Sequence, residues 1–155
     1  MAIQSGITAP KFKGIIENGS EISLQELKNK WLVLYFYPKD NTSGCTLEAC
    51  DFRDNMERIT STGAVVIGVS PDSVKSHQNF IAKHGLNFHL ISDENKSICN
   101  AYDVYGEKTL YGKKYLGVIR SSFVITPNGK INKVFSPVSV NGHVDEIMKY
   151  LAEVM

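Results

Sequence analysis

The sequence predicts an α/β domain: a mixed central sheet with helices on both faces and a short N-terminal hairpin. Three observations carry this reading. Two continuous apolar runs, Trp31–Tyr37 and Ala64–Val69, have the character of strands buried on both faces. Between them Ala49, Phe52, Met56 and Ile59 recur at spacings of three, four and three, a helical apolar stripe. Further on, two strand-like runs, Val118–Thr126 and Lys130–Phe135, bracket the turn Pro127-Asn128-Gly129 and predict an antiparallel pair.

The remaining elements follow in chain order. Phe12–Ile16 and Glu21–Ile22 flank Asn18-Gly19, a type I′ turn signal, and predict the small hairpin. Ser23 to Glu26 has the form of a capping box opening a short helix. After the first long strand a helix is expected over about Cys45–Thr60, then the strand Ala64–Val69. A second helix fits Ser73–Lys83, with Val74, His77, Phe80, Ile81 and His84 on or near one face. Phe88–Ile91 reads as a short strand and Asn95–Tyr102 as a helix. Gly106–Gly117, rich in Gly, Lys and Tyr, reads as mostly loop. The closing helix, Asn141–Glu153, turns Val144, Ile147, Met148 and Leu151 inward. This order of strands and helices is thioredoxin-like. No repeat, low-complexity tract or linker interrupts it, so residues 1–155 read as a single domain.

Composition narrows the function. A chain of 155 residues with 43% hydrophobic content is long enough for one substantial core, burying about 70% of its unfolded surface, and should need no metal or disulfide to stay folded. Seventeen basic residues against sixteen acidic ones, with no basic run, argue against a nucleic-acid partner. The N-terminal MAIQSGITAP lacks the pattern of a secretory signal, and Trp31–Tyr37 is too short to span a bilayer. A soluble, cytoplasmic protein is expected. Three cysteines cannot all pair within one chain, and a reducing compartment favours thiols used for chemistry.

Cys45 lies where a buried strand gives way to a helix, the crevice in which open α/β sheets tend to place their sites. In the first helical turn, unpaired backbone amides and the positive end of the helix dipole favour a thiolate, the nucleophilic form. Cys45 falls within about 40° of the apolar stripe, so its sulfur faces the protein at the floor of a pocket, whereas Cys50 points elsewhere. Helix geometry places the two Cα atoms roughly 8.7 Å apart and about 140° apart around the axis. A disulfide needs about 7 Å or less. Pairing them therefore requires the first turns to unwind. The arrangement suits a two-step reaction in which Cys45 takes a peroxide oxygen to become a sulfenic acid and Cys50 condenses with it. An external dithiol then restores both thiols.

Pro38, Thr42 and Cys45 form the PxxxTxxC signature of peroxiredoxins, and with Cys50 the chain resembles the bacterioferritin comigratory protein or peroxiredoxin Q class. The resemblance extends through Gly6–Phe12, Phe52-Arg53-Asp54 and Tyr105–Phe123. It implies that Thr42 hydrogen-bonds thiolate and peroxide, that Pro38 shields the thiolate from water, and that Arg120, at the start of a strand, stabilises anion and substrate. Glu48 occupies a position, three after the attacking cysteine, where the family often has a polar residue. The resemblance further implies reduction by thioredoxin or a similar dithiol, use of hydrogen peroxide and organic hydroperoxides, a monomeric state, and no cofactor or metal. One departure is Ser43, where many members have proline.

Other features carry bland readings. Cys99, beside Ile98 and near Tyr102, is expected to be packing. His77, His84, His89 and His143 lack the paired spacing of a zinc site and are expected at the surface or the core edge. Lys108, Lys113 and Lys114 are expected in a solvated loop. Two rival functions remain at this point. A thioredoxin-type disulfide oxidoreductase is disfavoured because such enzymes use CxxC, which can pair without unwinding. A metal-binding or holdase-like protein would use Cys45, Cys50 and a histidine.

Overall fold

A computed structural model describes residues 2–155. Strands β1 (Lys13–Ile16) and β2 (Glu21–Ser23) form the N-terminal hairpin, and one 3₁₀ turn, Gln25–Leu27, follows. Then come β3 (Leu32–Phe36), α1 (Ser43–Ser61), β4 (Val65–Ser70), α2 (Val74–His84), β5 (His89–Ser92) and α3 (Ser97–Ala101). The chain closes with β6 (Tyr105–Leu110), β7 (Lys113–Val118), β8 (Ser121–Ile125), β9 (Ile131–Phe135) and α4 (His143–Val154).

Seven strands form one mixed sheet in the order β2-β1-β5-β4-β3-β8-β9. β3 pairs parallel with β4 and antiparallel with β8, so it lies centrally and both its faces are covered. Alternation along β3 sorts its side chains into two cores. Val33, Tyr35 and Tyr37 pack with Cys45, Ala49, Phe52, Met56 and Ile59 of α1, Phe80 of α2, and Val144, Ile147 and Leu151 of α4. Leu32, Leu34 and Phe36 pack on the opposite face with Ala9, Phe12 and, from α3 and its exit, Ile98, Cys99 and Tyr102. Helices therefore cover both faces as expected, three on one side and the short α3 on the other. Phe52 is fully buried and stacks on Tyr35 at 4.6 Å between centroids. Its removal would cost about 3–5 kcal/mol.

Several expectations need correction. Gly106–Gly117 is not mostly loop: β6 and β7 form a separate two-stranded sheet from Tyr105↔Val118 to Leu110↔Lys113. Its two-residue turn, Tyr111-Gly112, has positive φ at both residues, 51° and 77°, the type I′ geometry. The first hairpin does not use that turn. Gly19 has φ 83° while Asn18 does not have positive φ, and Gly19 N–H and Ile16 N–H bond to the Ile16 and Ser20 carbonyls. That is the three-residue loop with a left-handed glycine. Val118 closes β7, so the strand expected from Val118 begins only at Ser121, and Arg120 precedes it rather than starting it. Of the capping box only half forms: Glu26 N–H donates to Ser23 Oγ at 3.3 Å, but the Glu26 carboxylate accepts from the Ser23 hydroxyl rather than from its backbone N–H, and the segment is a 3₁₀ turn. Among the described residues no helix is long and apolar enough to cross a membrane.

Candidate active site

The site is built where β3 hands over to α1. The connecting loop leaves Lys39, Asn41 and Thr42 exposed but turns the Asp40 side chain inward, with Asn41 in the left-handed region at φ 63°. Thr42 has extended backbone and caps α1, its carbonyl accepting from Thr46 N–H at 2.8 Å. Cys45 is the third helical residue and only 2% exposed. The first-turn position and the inward direction read from the sequence are both observed.

Arg120 reaches the same point from the neighbouring strand, β8, whose first residue Ser121 pairs with Phe36 at the end of β3. It directly precedes β8, and its carbonyl accepts from Val138 N–H at 2.9 Å, which fixes its backbone to the loop before α4. Its Nη2 donates to Cys45 Sγ at 3.2 Å and its Nη1 to Glu48 Oε1 at 2.7 Å. Gly44 leaves room for this approach: a Cβ there would lie 3.3 Å from Nη2. Burial works against the charge on Arg120, yet Glu48 and Cys45 outweigh it and raise its pKa. Glu48 is wholly buried, and burial pushes its carboxyl up to about 7 against the opposing pull of Arg120. Arg120 thus contacts both Cys45 and Glu48.

The other expected residues are arranged less tightly. The Thr42 hydroxyl donates to the Lys39 carbonyl at 2.8 Å rather than to Cys45. Pro38 is half-buried at the start of the loop, and Cys50 is half-buried one and a half turns along α1 from Cys45. All three cysteines are free thiols. Cys99 is wholly buried, and desolvation, reinforced by Asp93, pushes its pKa well above that of an ordinary thiol. Lys108 is not simply solvated: its Nζ donates to the Val118 carbonyl at 2.8 Å and lies over the Tyr115 ring. Burial and Arg120 lower its pKa while Cys45 opposes them, so it is a second cation bordering the site.

Two histidines expected at the surface or the core edge are buried. His143 shares hydrogen bonds with Ser122 and Glu146. His77 is fully buried against Asp40. Asp40, Asp72 and His77 form the one group among the described residues whose donor atoms lie within 4.8 Å of one another, close enough to hold a metal ion. Their lone pairs already receive hydrogen bonds. Tyr37 Oη donates to Asp40 at 2.6 Å, Ser76 Oγ to Asp40 at 2.8 Å, and Ser70 Oγ and Asp40 N–H to Asp72 at 2.7 and 2.8 Å. The cluster is therefore satisfied as a hydrogen-bond hub. Burial, Tyr35 and Asp40 raise the Tyr37 pKa well above its usual value, which keeps that residue a donor. Sequence patterns give no signal for this hub, because Asp40 lies 32 residues from Asp72 and 37 from His77 in the chain.

The profile of the AhpC/TSA family matches residues 6–134. The chain belongs to that family. Within the family it is similar to peroxiredoxin Bcp of Bacillus subtilis, at 43% identity over 99% of this chain and 98% of that protein. Among solved structures it is similar to a Xanthomonas campestris peroxiredoxin Q, with a TM-score of 0.89 and 40% identity over 99% of this chain and 97% of the other. A second match is the Xanthomonas campestris bacterioferritin comigratory protein, studied for its alkyl peroxide reduction, with a TM-score of 0.89 and 39% identity over 99% and 97% of the two chains. The resemblance read from PxxxTxxC and from the flanking segments is therefore shown, and so is the thioredoxin-like fold.

Proposed function

We propose that the protein is a thiol peroxidase in which the Cys45 thiolate is the attacking group and Arg120 its electrostatic partner. One observation carries the assignment: the Arg120 guanidinium lies 3.2 Å from the Cys45 sulfur at the head of a helix. A buried thiolate facing a fixed cation and unpaired amides is stabilised without reorganising solvent. When it attacks a hydroperoxide, an S–O bond forms and the O–O bond breaks. The departing alkoxide or hydroxide takes a proton to leave as alcohol or water, and Cys45 becomes a sulfenic acid. With its own proton on Lys39, the Thr42 oxygen is free to accept from the peroxide O–H, and Pro38 limits water at the loop.

Cys50 is the resolving thiol in this reading. Its sulfur bonds to Cys45 and the sulfenic oxygen departs as water. The disulfide is then reduced by a thioredoxin-like dithiol, both sulfurs returning to thiols. Hydrogen peroxide and organic hydroperoxides are the substrates, and one chain, in a reducing cytoplasmic setting, suffices because Cys45, Cys50, Glu48 and Arg120 all belong to it.

The test is a thioredoxin-coupled peroxidase assay. Cys45→Ser should abolish peroxide consumption, and Cys50→Ser should react once and then stall. Peptide mapping of peroxide-treated protein should find Cys45 joined to Cys50. Turnover in Cys45→Ser would remove the central assignment, and a Cys45 link to Cys99 would overturn the choice of resolving thiol.

A further inference from the structure

Asp40 has a role that the reacting residues do not explain. It sits five residues before Cys45 in a mostly exposed loop, yet its side chain is only 1% exposed and its carboxylate ties that loop to the end of β3 and to α2. One oxygen accepts from Tyr37 Oη. The other faces Ser76 Oγ and His77 Nδ1 of α2, at 2.8 and 2.7 Å. Its backbone N–H donates to Asp72 in the β4–α2 loop, and His77 Nε2 lies 2.9 Å from the Ile91 carbonyl of β5.

The bonding inventory fixes how this cluster is held. A carbonyl only accepts, so His77 Nε2 carries a hydrogen toward Ile91. His77 Nδ1 and Asp40 Oδ2 then stand 2.7 Å apart and require a further proton between them, because two bare acceptors at that distance would repel. The pair therefore shares a proton and is charge-assisted, the strong kind of hydrogen bond, in a wholly buried setting.

We propose that the Asp40–His77 pair is a latch that positions the Cys45 loop for attack and holds its upstream end while the head of α1 unwinds for resolution. The inference rests on the reading of Cys45 as the attacking thiol. Arg120 is fixed on the β8 side of the site, whereas Cys45 stands in the first turn of α1, directly after the loop. The Cys45–Arg120 distance therefore depends on where the loop is pinned, and Asp40 is its buried pin. During resolution residues from Ser43 onward must leave the helix. An anchored Asp40 confines that motion downstream and returns Cys45 to Arg120 after reduction.

Asp40→Ala, Asp40→Asn and His77→Ala separate this role from general stability. An asparagine at 40 can donate to a neutral His77 Nδ1 and still accept from Tyr37, so it keeps the latch without the shared proton. Peroxide attack and disulfide closure are followed separately by stopped-flow mixing, and folding of each variant is checked by thermal melts. Asp40→Ala and His77→Ala are expected to slow attack roughly tenfold to a hundredfold, the effect of a misplacement near 1 Å. Closure of a preformed Cys45 sulfenic acid should be no slower than in the wild type, and Asp40→Asn should attack within about threefold of it. If the alanine variants do not fold, Asp40→Asn decides: wild-type-like attack together with loss of a far-downfield His77 proton resonance supports the latch. Attack at the wild-type rate in a folded alanine variant would overturn it, as would closure slowed as much as attack, or Asp40→Asn slowed as much as Asp40→Ala. A wild type that forms no sulfenic acid at Cys45 would instead sink the peroxidase reading itself.

Discussion

The guanidinium of Arg120 bridges Cys45 and Glu48, one nitrogen 3.2 Å from the sulfur and the other 2.7 Å from a carboxylate oxygen. Because the fork is planar and rigid, the two contacts are not independent: the carboxylate orients the cation that faces the thiolate. A lysine supplies a single charged centre on a flexible stem and cannot hold both positions at once.

Arg120→Lys should therefore lower the rate constant for peroxide by roughly 10²–10³, the usual effect of losing one preorganised donor to a developing charge. Stopped-flow kinetics with hydrogen peroxide would measure it. An unchanged rate would mean that charge alone, without the fork, is sufficient.

Gly44 tests the same geometry by space rather than by chemistry. A methyl at this position would lie 3.3 Å from Arg120 Nη2, so the guanidinium must give way by a few tenths of an ångström. Gly44→Ala is a favourable change for helix propensity, by up to about 1 kcal/mol. The variant is expected to melt no lower than the wild type while reacting several-fold more slowly with peroxide. Slower reaction with unchanged or higher stability is the signature of a displaced Arg120.

The centre of this site was legible in the chain because its signals are local. Cys45 at a strand-to-helix junction, with Ala49, Phe52, Met56 and Ile59 on the buried stripe, gives both position and direction from periodicity. What escaped has no local signal. β6 and β7 hold few buried residues, so no alternation marks them, and their turn is Tyr111-Gly112 rather than one of the pairs, such as Asn-Gly, that signal a hairpin in sequence. The burial of His77 and its pairing with Asp40 depend on α2 lying beside the loop after β3, a tertiary fact invisible to spacing. The contact between Glu48 and Arg120 is likewise non-local, spanning 72 residues.

Glu48 makes stability depend on pH with a definite sign. Its carboxyl is raised from 4.5 to about 7 in the folded protein, chiefly by burial. Between those values the native state binds a proton that the unfolded chain does not, so native stability falls as pH rises. The contribution is fully present below about 4.5 and is lost as pH passes about 7, on the order of 3 kcal/mol in total. Melting temperatures at pH 5 and pH 8 should therefore differ more in the wild type than in Glu48→Gln, whose amide can still accept from Arg120. Equal pH dependence in the two proteins would show that Glu48 titrates as an ordinary carboxyl.

Cys99 should be chemically silent. It is wholly buried on the sheet face opposite α1, and its thiol is strongly disfavoured from ionising. Iodoacetamide should label it only after denaturation. Cys99→Ala should leave peroxide turnover unchanged and cost about 1 kcal/mol of stability through lost packing. Labelling of Cys99 in the native protein would show that this face opens.

Resolution by Cys50 has a structural consequence that can be read without kinetics. In the reduced protein α1 is unbroken from Ser43 to Ser61, and helical geometry holds the Cα atoms of residues 45 and 50 roughly 8.7 Å apart. A disulfide tolerates about 7 Å at most, so oxidation must unwind the turns between them, and Glu48 lies in those turns. It would leave its buried place beside Arg120, and its carboxyl would return to the solvent. Buried Glu48 holds a proton up to about pH 7, and exposed Glu48 does not. Oxidation near pH 6 should therefore reduce helical circular dichroism, speed amide exchange over residues 43–50, and leave up to one proton more in solution than the same oxidation of Glu48→Gln does. A disulfide formed with α1 fully protected from exchange would contradict the pairing.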